Sequence, residues 1–353
     1  MGQLERVKKI NPLFSFAKSF AKSLICLSLT ACSLFNKKGS PDAQVAKAFN
    51  EALQFRPVGD PQTSSGENES PSWSPSGEAF LFISRNRPQH KNFQVYEKNI
   101  LTGEEKRITY SDGDTFNPIY FNSDQEIIYS STTDELKERP LLFKTDKGTS
   151  AYPPADLYES NLSGTEISRL TLRPGFDGNI SLSSNNKNEI YVQSAFDSVR
   201  KIVRFNVKSK SSAFVFNDNF DRKDFVQFKE KYAWIQTSPT QQIFIADKSL
   251  KNPTLAPLID LIAQDLDWVS DNFILMSASL KNRPYFQIYA YKIDEKCLIP
   301  IVTADQVDLR QPKISFDRKK ILFVSNQING KNQIMMKNID WEHLKCAPTE
   351  TNK

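Results

Sequence analysis

From Ser70 onward, short apolar runs alternate with polar turns in one phrase repeated about six times. The first copy runs from Pro71 to Ser84: Pro71-Ser72-Trp73, then the turn Ser74-Pro75-Ser76-Gly77, then the apolar Phe80-Leu81-Phe82-Ile83. The second spans Pro118 to Ser130 and the last Pro312 to Ser325, with weaker copies near Leu182, Val226 and Trp268. With Trp73, Tyr120, Leu182, Val226, Trp268 and Ile314 as anchors, the steps are 47, 62, 44, 42 and 46 residues. The long step holds an insertion, Leu136 to Ala155, rich in Lys and Pro.

Each copy predicts the same four strands. A short strand enters a polar turn and returns as a β-branched and aromatic run, apolar enough to be buried on both faces. A third strand alternates, as in Phe93-Gln94-Val95-Tyr96 and Phe286-Gln287-Ile288-Tyr289. After a second turn, such as Asn161-Leu162-Ser163-Gly164-Thr165-Glu166, an outer strand ends the unit. Four antiparallel strands at this period make a propeller blade, and six blades closing into a ring remove the open edges that a stack would leave. The expected fold is therefore an all-β, six-bladed β-propeller over residues 70–346, with a disordered tail at 347–353.

These blades resemble the TolB-type propeller repeat, the WD40-like or PD40 family, over about residues 66 to 346. Pro71-Ser72-Trp73-Ser74-Pro75-Ser76-Gly77 stands close to that family's P-x-W-S-P-D-G phrase. Asn161-Leu162-Ser163-Gly164-Thr165-Glu166-Ile167-Ser168-Arg169-Leu170-Thr171 matches its downstream turn. Blades one, two and six carry the pattern best; blade four lacks both the Pro-x-aromatic start and the Gly turn. TolB itself has an α/β domain ahead of its propeller, which residues 33–69 are too few to encode. The resemblance implies a TolB-like propeller without that domain, and a role in binding other envelope proteins.

The N-terminus places the protein in the cell. Arg6, Lys8, Lys9, Lys18 and Lys22 precede Leu24-Ile25-Cys26-Leu27-Ser28-Leu29, an apolar run of export-signal length and too short to span a bilayer. Leu29-Thr30-Ala31-Cys32 resembles the lipobox of bacterial lipoproteins, which implies a signal peptide over 1–31 and a lipid on Cys32. An ordinary secretory signal ending near a cysteine is the alternative. Residues 32–69 read as a flexible tether. The expected location is the bacterial envelope, facing the periplasm, with Ser33 favouring the outer membrane over the inner, and the expected state is a monomer that meets the membrane only through its lipid.

Charge follows the same division. The chain carries +5, and the five cations and one anion of residues 1–31 account for four of those charges. The remainder, near +1, offers no basic stripe for nucleic acid. Cys26 leaves with the leader, so Cys297 and Cys346 remain as an even pair in an oxidising compartment, either bonded or separate.

Catalytic chemistry finds little footing. No Gly-x-Ser-x-Gly elbow is present, and the two histidines, His90 and His343, lack a nucleophile context or metal-ligand clustering. Glu69, Asp114, Asp177, Asp224, Asp267 and Asp308 are expected just ahead of successive innermost strands. As a ring at one channel mouth they would favour Ca²⁺, Mg²⁺ or a basic group on a partner; as turn residues they would instead cap backbone donors and lock neighbouring blades. Tyr110, Phe116, Tyr152 and Phe176 are expected in loops, available as contact surface. The insertion breaks the repeat with Arg139, Phe143 and Tyr152, the expected partner-binding loop. The function expected is a non-catalytic scaffold binding an envelope protein or peptide, without a resident cofactor; the alternative is a glycan-binding or glycan-hydrolysing propeller using the acidic ring.

Overall fold

The computed structural model describes residues 58–134, 141–145, 148–195, 199–237, 240–256, 258, 261–280 and 283–346. The expected signal peptide, Cys32, the tether as far as residue 57, Arg139 and the 347–353 tail lie outside these residues.

Six four-stranded antiparallel sheets account for the body. A short strand, β1 (Asp60–Pro61), comes first in the chain. Blade 1 follows as β2 (Glu67–Trp73), β3 (Ala79–Arg85), β4 (Gln94–Asn99) and β5 (Glu105–Arg107). Blade 2 holds β6 (Thr115–Tyr120) and β7 (Glu126–Ser131), then the inserted hairpin β8 (Leu141–Thr145) and β9 (Gly148–Tyr152), then β10 (Asp156–Asn161) and β11 (Ile167–Arg169). Blade 3 comprises β12 (Phe176–Leu182), β13 (Glu189–Ala195), β14 (Arg200–Asn206) and β15 (Ser211–Phe214). Blade 4 comprises β16 (Arg222–Phe228), β17 (Lys231–Gln236), β18 (Gln242–Asp247) and β19 (Thr254–Leu255). Blade 5 comprises β20 (Leu261–Ser270), β21 (Phe273–Leu280), β22 (Arg283–Lys292) and β23 (Cys297–Val302). Blade 6 contributes β24 (Leu309–Ile314), β25 (Lys320–Ser325) and β26 (Gln333–Asn338), and its fourth strand is β1. Each innermost strand touches the next, and β24 touches β2, so the ring is closed.

The apolar runs read from sequence are the second strands. Ala79–Arg85 and Phe273–Leu280 are buried along nearly their whole length because each faces a neighbouring blade on both sides. The core is divided accordingly among the seams. Leu81, Ile83, Val95 and Ile127 fill the seam between blades 1 and 2; Phe80, Phe82, Leu322 and Ile334 fill the seam between 6 and 1. Burying one such side chain contributes about 1.5–3 kcal/mol. Blade 4, poorest in the repeat motif, meets blade 3 through aromatics: Tyr191 and Phe225 have ring centroids 4.8 Å apart, Phe216 and Trp234 4.9 Å. Large rings thus fill the seam where the motif is missing.

The ring begins ahead of the expected boundary at Ser70. Asp60 and Pro61 pair with Met336 and Met335, so residues 60–69 belong to the ring and not to the tether. Thr63 Oγ1 donates to Gln333 Oε1 at 2.9 Å, Asn68 Nδ2 donates to the same oxygen at 2.8 Å, and Gln333 Nε2 donates to Gly66 O at 3.0 Å. Gly59 is required just before β1, since a Cβ there would lie 2.7 Å from the carbonyl oxygen of Met336. At the other end, Cys297 and Cys346 form a disulfide with Cα atoms 5.9 Å apart, tying the C-terminal segment to the outer strand of blade 5.

Candidate functional site: the channel cavity

All six innermost strands carry the same irregularity. In β2, β6, β12, β16, β20 and β24 two consecutive residues drop out of the pairing with the second strand. The first of the two always has positive φ: Ser70 (52°), Asn117 (46°), Asn179 (45°), Asp224 (52°), Asp265 (58°) and Gln311 (52°). The second, Pro71, Pro118, Ile180, Phe225, Leu266 or Pro312, is always buried. A bulge of this kind re-aims side chains, sending the first residue to the channel and the second into the blade. Pro is accepted at the second position because a bulge removes the need for a ladder N–H. This accounts physically for the Pro-x-aromatic start of the repeat.

The six bulge residues form a polar ring around the channel. Asn117 Oδ1 accepts the N–H of Asn179 at 3.2 Å, and Asp224 Oδ2 accepts that of Asp265 at 3.2 Å. Asp265 Oδ2 accepts the N–H of Gln311 at 3.1 Å, and Gln311 Oε1 that of Ser70 at 2.7 Å. Each side chain thus holds the backbone of the next blade. Ser70 is too short to continue the relay to blade 2, and Asn179 instead donates Nδ2 to Gln193 Oε1 at 3.1 Å.

This ring is not the one expected from sequence. Measured against the bulge, Glu69 lies one position before it, Asp177 two, Asp114 and Asp308 three, Asp224 on it and Asp267 two beyond. Six acids at five register positions cannot converge, and only Asp224 belongs to the ring. Glu69, Asp114, Asp267 and Asp308 act as the locking alternative requires. Asp114 Oδ1 accepts the N–H of Phe93 at 2.7 Å and Asp308 Oδ1 that of Phe286 at 2.9 Å, each reaching back to the preceding blade. Asp221 does the same for Arg200 N at 2.8 Å, a third copy that sequence reading missed. Asp177 is buried against Arg173 and Ser194, and Glu69 Oε1 accepts Asn332 Nδ2 at 2.8 Å.

From the polar ring to the turns that join first and second strands, the channel widens into a cavity of about 510 Å³. Asp224, Asp265 and Asp267 line it from blades 4 and 5, and Lys313 and Arg318 from blade 6. Asp265 also accepts Ser277 Oγ at 2.7 Å; burial, and then the neighbouring Asp224, raise its pKa above the usual carboxylate range. Asp267 accepts the N–H of Ile314 at 2.8 Å, and burial raises its pKa too, against the pull of Lys313. Arg318 lies over the ring of Phe228 at 4.9 Å, and Phe228 stacks on Trp268 with centroids 6.4 Å apart. Phe316 stands 58% exposed at the rim.

Among the described residues, one trio of His, Cys, Asp or Glu brings its ligand atoms within 4.8 Å of one another: Glu295, Cys297 and Cys346. Its two sulfurs are already bonded to each other, and no channel carboxylate belongs to it. His90 bonds Asn92 O and Tyr96 OH, and His343 pairs with Asp340 outside the cavity.

The inserted hairpin springs from the connection between second and third strands, at the opposite end of the blades from the cavity-side turns. Tyr152 packs on Phe176, centroids 4.9 Å apart, and accepts Arg200 Nη1 at 3.2 Å, so this residue is tied to blade 3. Of Phe143 the backbone alone is described. Phe116 and Phe176 are not in loops as expected but in β6 and β12, with Phe176 buried; Tyr110 is 72% exposed.

No protein-family model matches the chain, and no curated protein matches it. Solved structures do. TolB from Acinetobacter baumannii is 13% identical with a TM-score of 0.53, over 83% of this chain and 68% of that one. A putative TolB from Agrobacterium tumefaciens gives 9% and 0.54, over 77% and 90%. An oligogalacturonate lyase in complex with manganese gives 12% and 0.52, over 80% and 93%. At these identities the likeness is one of fold, and by fold the chain is a TolB-like six-bladed propeller.

Proposed function

We propose that this protein is a non-catalytic binding propeller of the bacterial envelope, anchored by lipid on Cys32, that receives an extended segment of a partner protein in its channel cavity. One observation carries the reading: the cavity joins half-buried acids at its polar floor to an aromatic and cationic rim at Phe316, Phe228 and Arg318. Such a mixture of apolar wall and few placed charges suits a peptide segment better than a uniformly polar ligand. The likeness to two TolB structures agrees with a binding role, while the lyase keeps glycan cleavage as the rival. Against that rival, Asp265 and Asp267 are already acceptors for structural N–H and O–H donors.

The test is a photo-crosslinker at position 316 in intact envelopes, with captured peptide mapped by mass spectrometry. One defined segment, lost in Arg318→Glu and Phe316→Asp, supports the reading. Polysaccharide as the sole product, or cleavage of envelope glycan abolished by Asp224→Asn, overturns it. Clickable palmitate labelling of the wild type, absent in Cys32→Ser, tests the anchor separately.

A further inference from the structure

The rim of the cavity has a second side. The turn joining β24 to β25 presents Phe316 and Arg318 to the cavity, and from outside it is gripped by the C-terminal segment. Ile339 N donates to Lys319 O at 2.8 Å, and Trp341 Nε1 donates to Arg318 O at 2.6 Å. The Trp341 ring rests on Phe273 of blade 5, centroids 5.7 Å apart. Beyond Asn338 this segment joins no sheet, so its ladder bonds end there. Beyond Trp341, the bond from Cys346 to Cys297 fixes its end to blade 5, with Leu344 and Cys346 packed at the edge of the seam between blades 5 and 6.

We propose that the Cys297–Cys346 disulfide is a redox-sensitive latch on the cavity rim: bonded, it holds Trp341 against the turn that carries Phe316 and Arg318; reduced, it releases them. Both cysteines are partly exposed, so a thiolate can reach the bond. The step is a two-electron exchange with a dithiol reductant. One thiolate of the reductant attacks a sulfur of the pair, the second resolves the mixed disulfide, and two protons convert Cys297 and Cys346 to thiols. The reductant leaves as its own disulfide. Glu295 brings a carboxylate oxygen within 4.8 Å of both sulfurs.

Amide hydrogen exchange on the full chain tests this without any ligand, so its failure is distinct from failure of the binding proposal. Arg318 N, bonded to Ser315 O, and Ile339 N report on the rim; Gln311 N and Asp265 N report on the channel floor. With dithiothreitol, and in Cys346→Ser without it, rim amides are expected to exchange about tenfold faster while floor amides are unchanged. Trp341→Ala with the disulfide intact is expected to accelerate the same rim amides. Unchanged rim exchange on reduction, acceleration spread through all six blades, or a silent Trp341→Ala would each overturn the proposal.

Discussion

Asp265 holds the backbone of Gln311 on the neighbouring blade, its carboxylate accepting that N–H at 3.1 Å while its own backbone is held by Asp224 at 3.2 Å. The channel floor is therefore a chain of inter-blade bonds as well as a surface. Asn117 occupies the equivalent position in blade 2 and accepts the N–H of Asn179, so an amide can do the same work without charge.

Asp265→Asn is expected to stabilise the protein near neutral pH. Burial and Asp224 hold the folded carboxyl's pKa above that of the unfolded chain. The folded state thus keeps the proton longer, and stability is lost as pH rises from the ordinary carboxylate range through the raised value. Thermal melts should show variant and wild type converging in acid and separating toward neutrality. A constant difference would exclude this origin.

Gln311→Val should cost more than Gln311→Gly. Both lose the bond to Ser70 N, worth about 1 kcal/mol. Glycine relieves the steric cost that a Cβ pays at positive φ, roughly 1–2 kcal/mol, whereas valine keeps it. Urea midpoints with unchanged slopes would measure the order.

Asp114→Ala and Asp308→Ala each leave a backbone N–H of the preceding blade without its acceptor, at Phe93 and Phe286. A loss of about 1–3 kcal/mol is expected from each. Crosslinking from position 316 should be unaffected, because neither residue lines the cavity.

A chain starting at Ser70 lacks β1 and the Thr63–Gln333–Asn68 network. It should melt well below one starting at Val58. Gly59→Ala should lower the midpoint of the longer chain too, since its Cβ meets Met336 O. Equal melting of the two chains would contradict the closure described.

Cys297→Ser with Cys346→Ser should destabilise by less than about 1 kcal/mol, at the low end for removing a disulfide, because releasing residues 339–346 in the folded state recovers much of the chain entropy. Denaturant unfolding with and without reductant checks this, and the double variant should be insensitive to reductant.

The blades were legible because their second strands are buried on both faces, which writes an apolar run into every copy, as in Phe80-Leu81-Phe82-Ile83 and Ile321-Leu322-Phe323-Val324. The channel ring was not. Ser70, Asn117, Asn179, Asp224, Asp265 and Gln311 share tolerance of an unusual backbone and a polar tip, and no common letter. Counting acids back from the strands therefore selected latches such as Asp114 together with one true ring member, Asp224. In blade 4 the register slipped by one as well: the residue equivalent to Trp73 is Gln227, beside the anchor Val226. β1 was hidden for another reason. Two residues of strand between Gly59 and the polar stretch after Gln62 carry no periodicity, and their pairing depends on Met335 and Met336, far along the chain.

That pairing has a consequence in time. Thr63 and Gln333 are 270 residues apart, so the seam that closes the ring cannot form until nearly the whole chain is present. A chain emerging N-terminus first, whether from a ribosome or across a membrane, holds β2 without its neighbour in blade 6 until the end. Its unpaired strand edges are then open to neighbouring chains. Premature termination anywhere before β26 leaves an open arc of blades, a species marked for aggregation or degradation by the same edge that completion would hide.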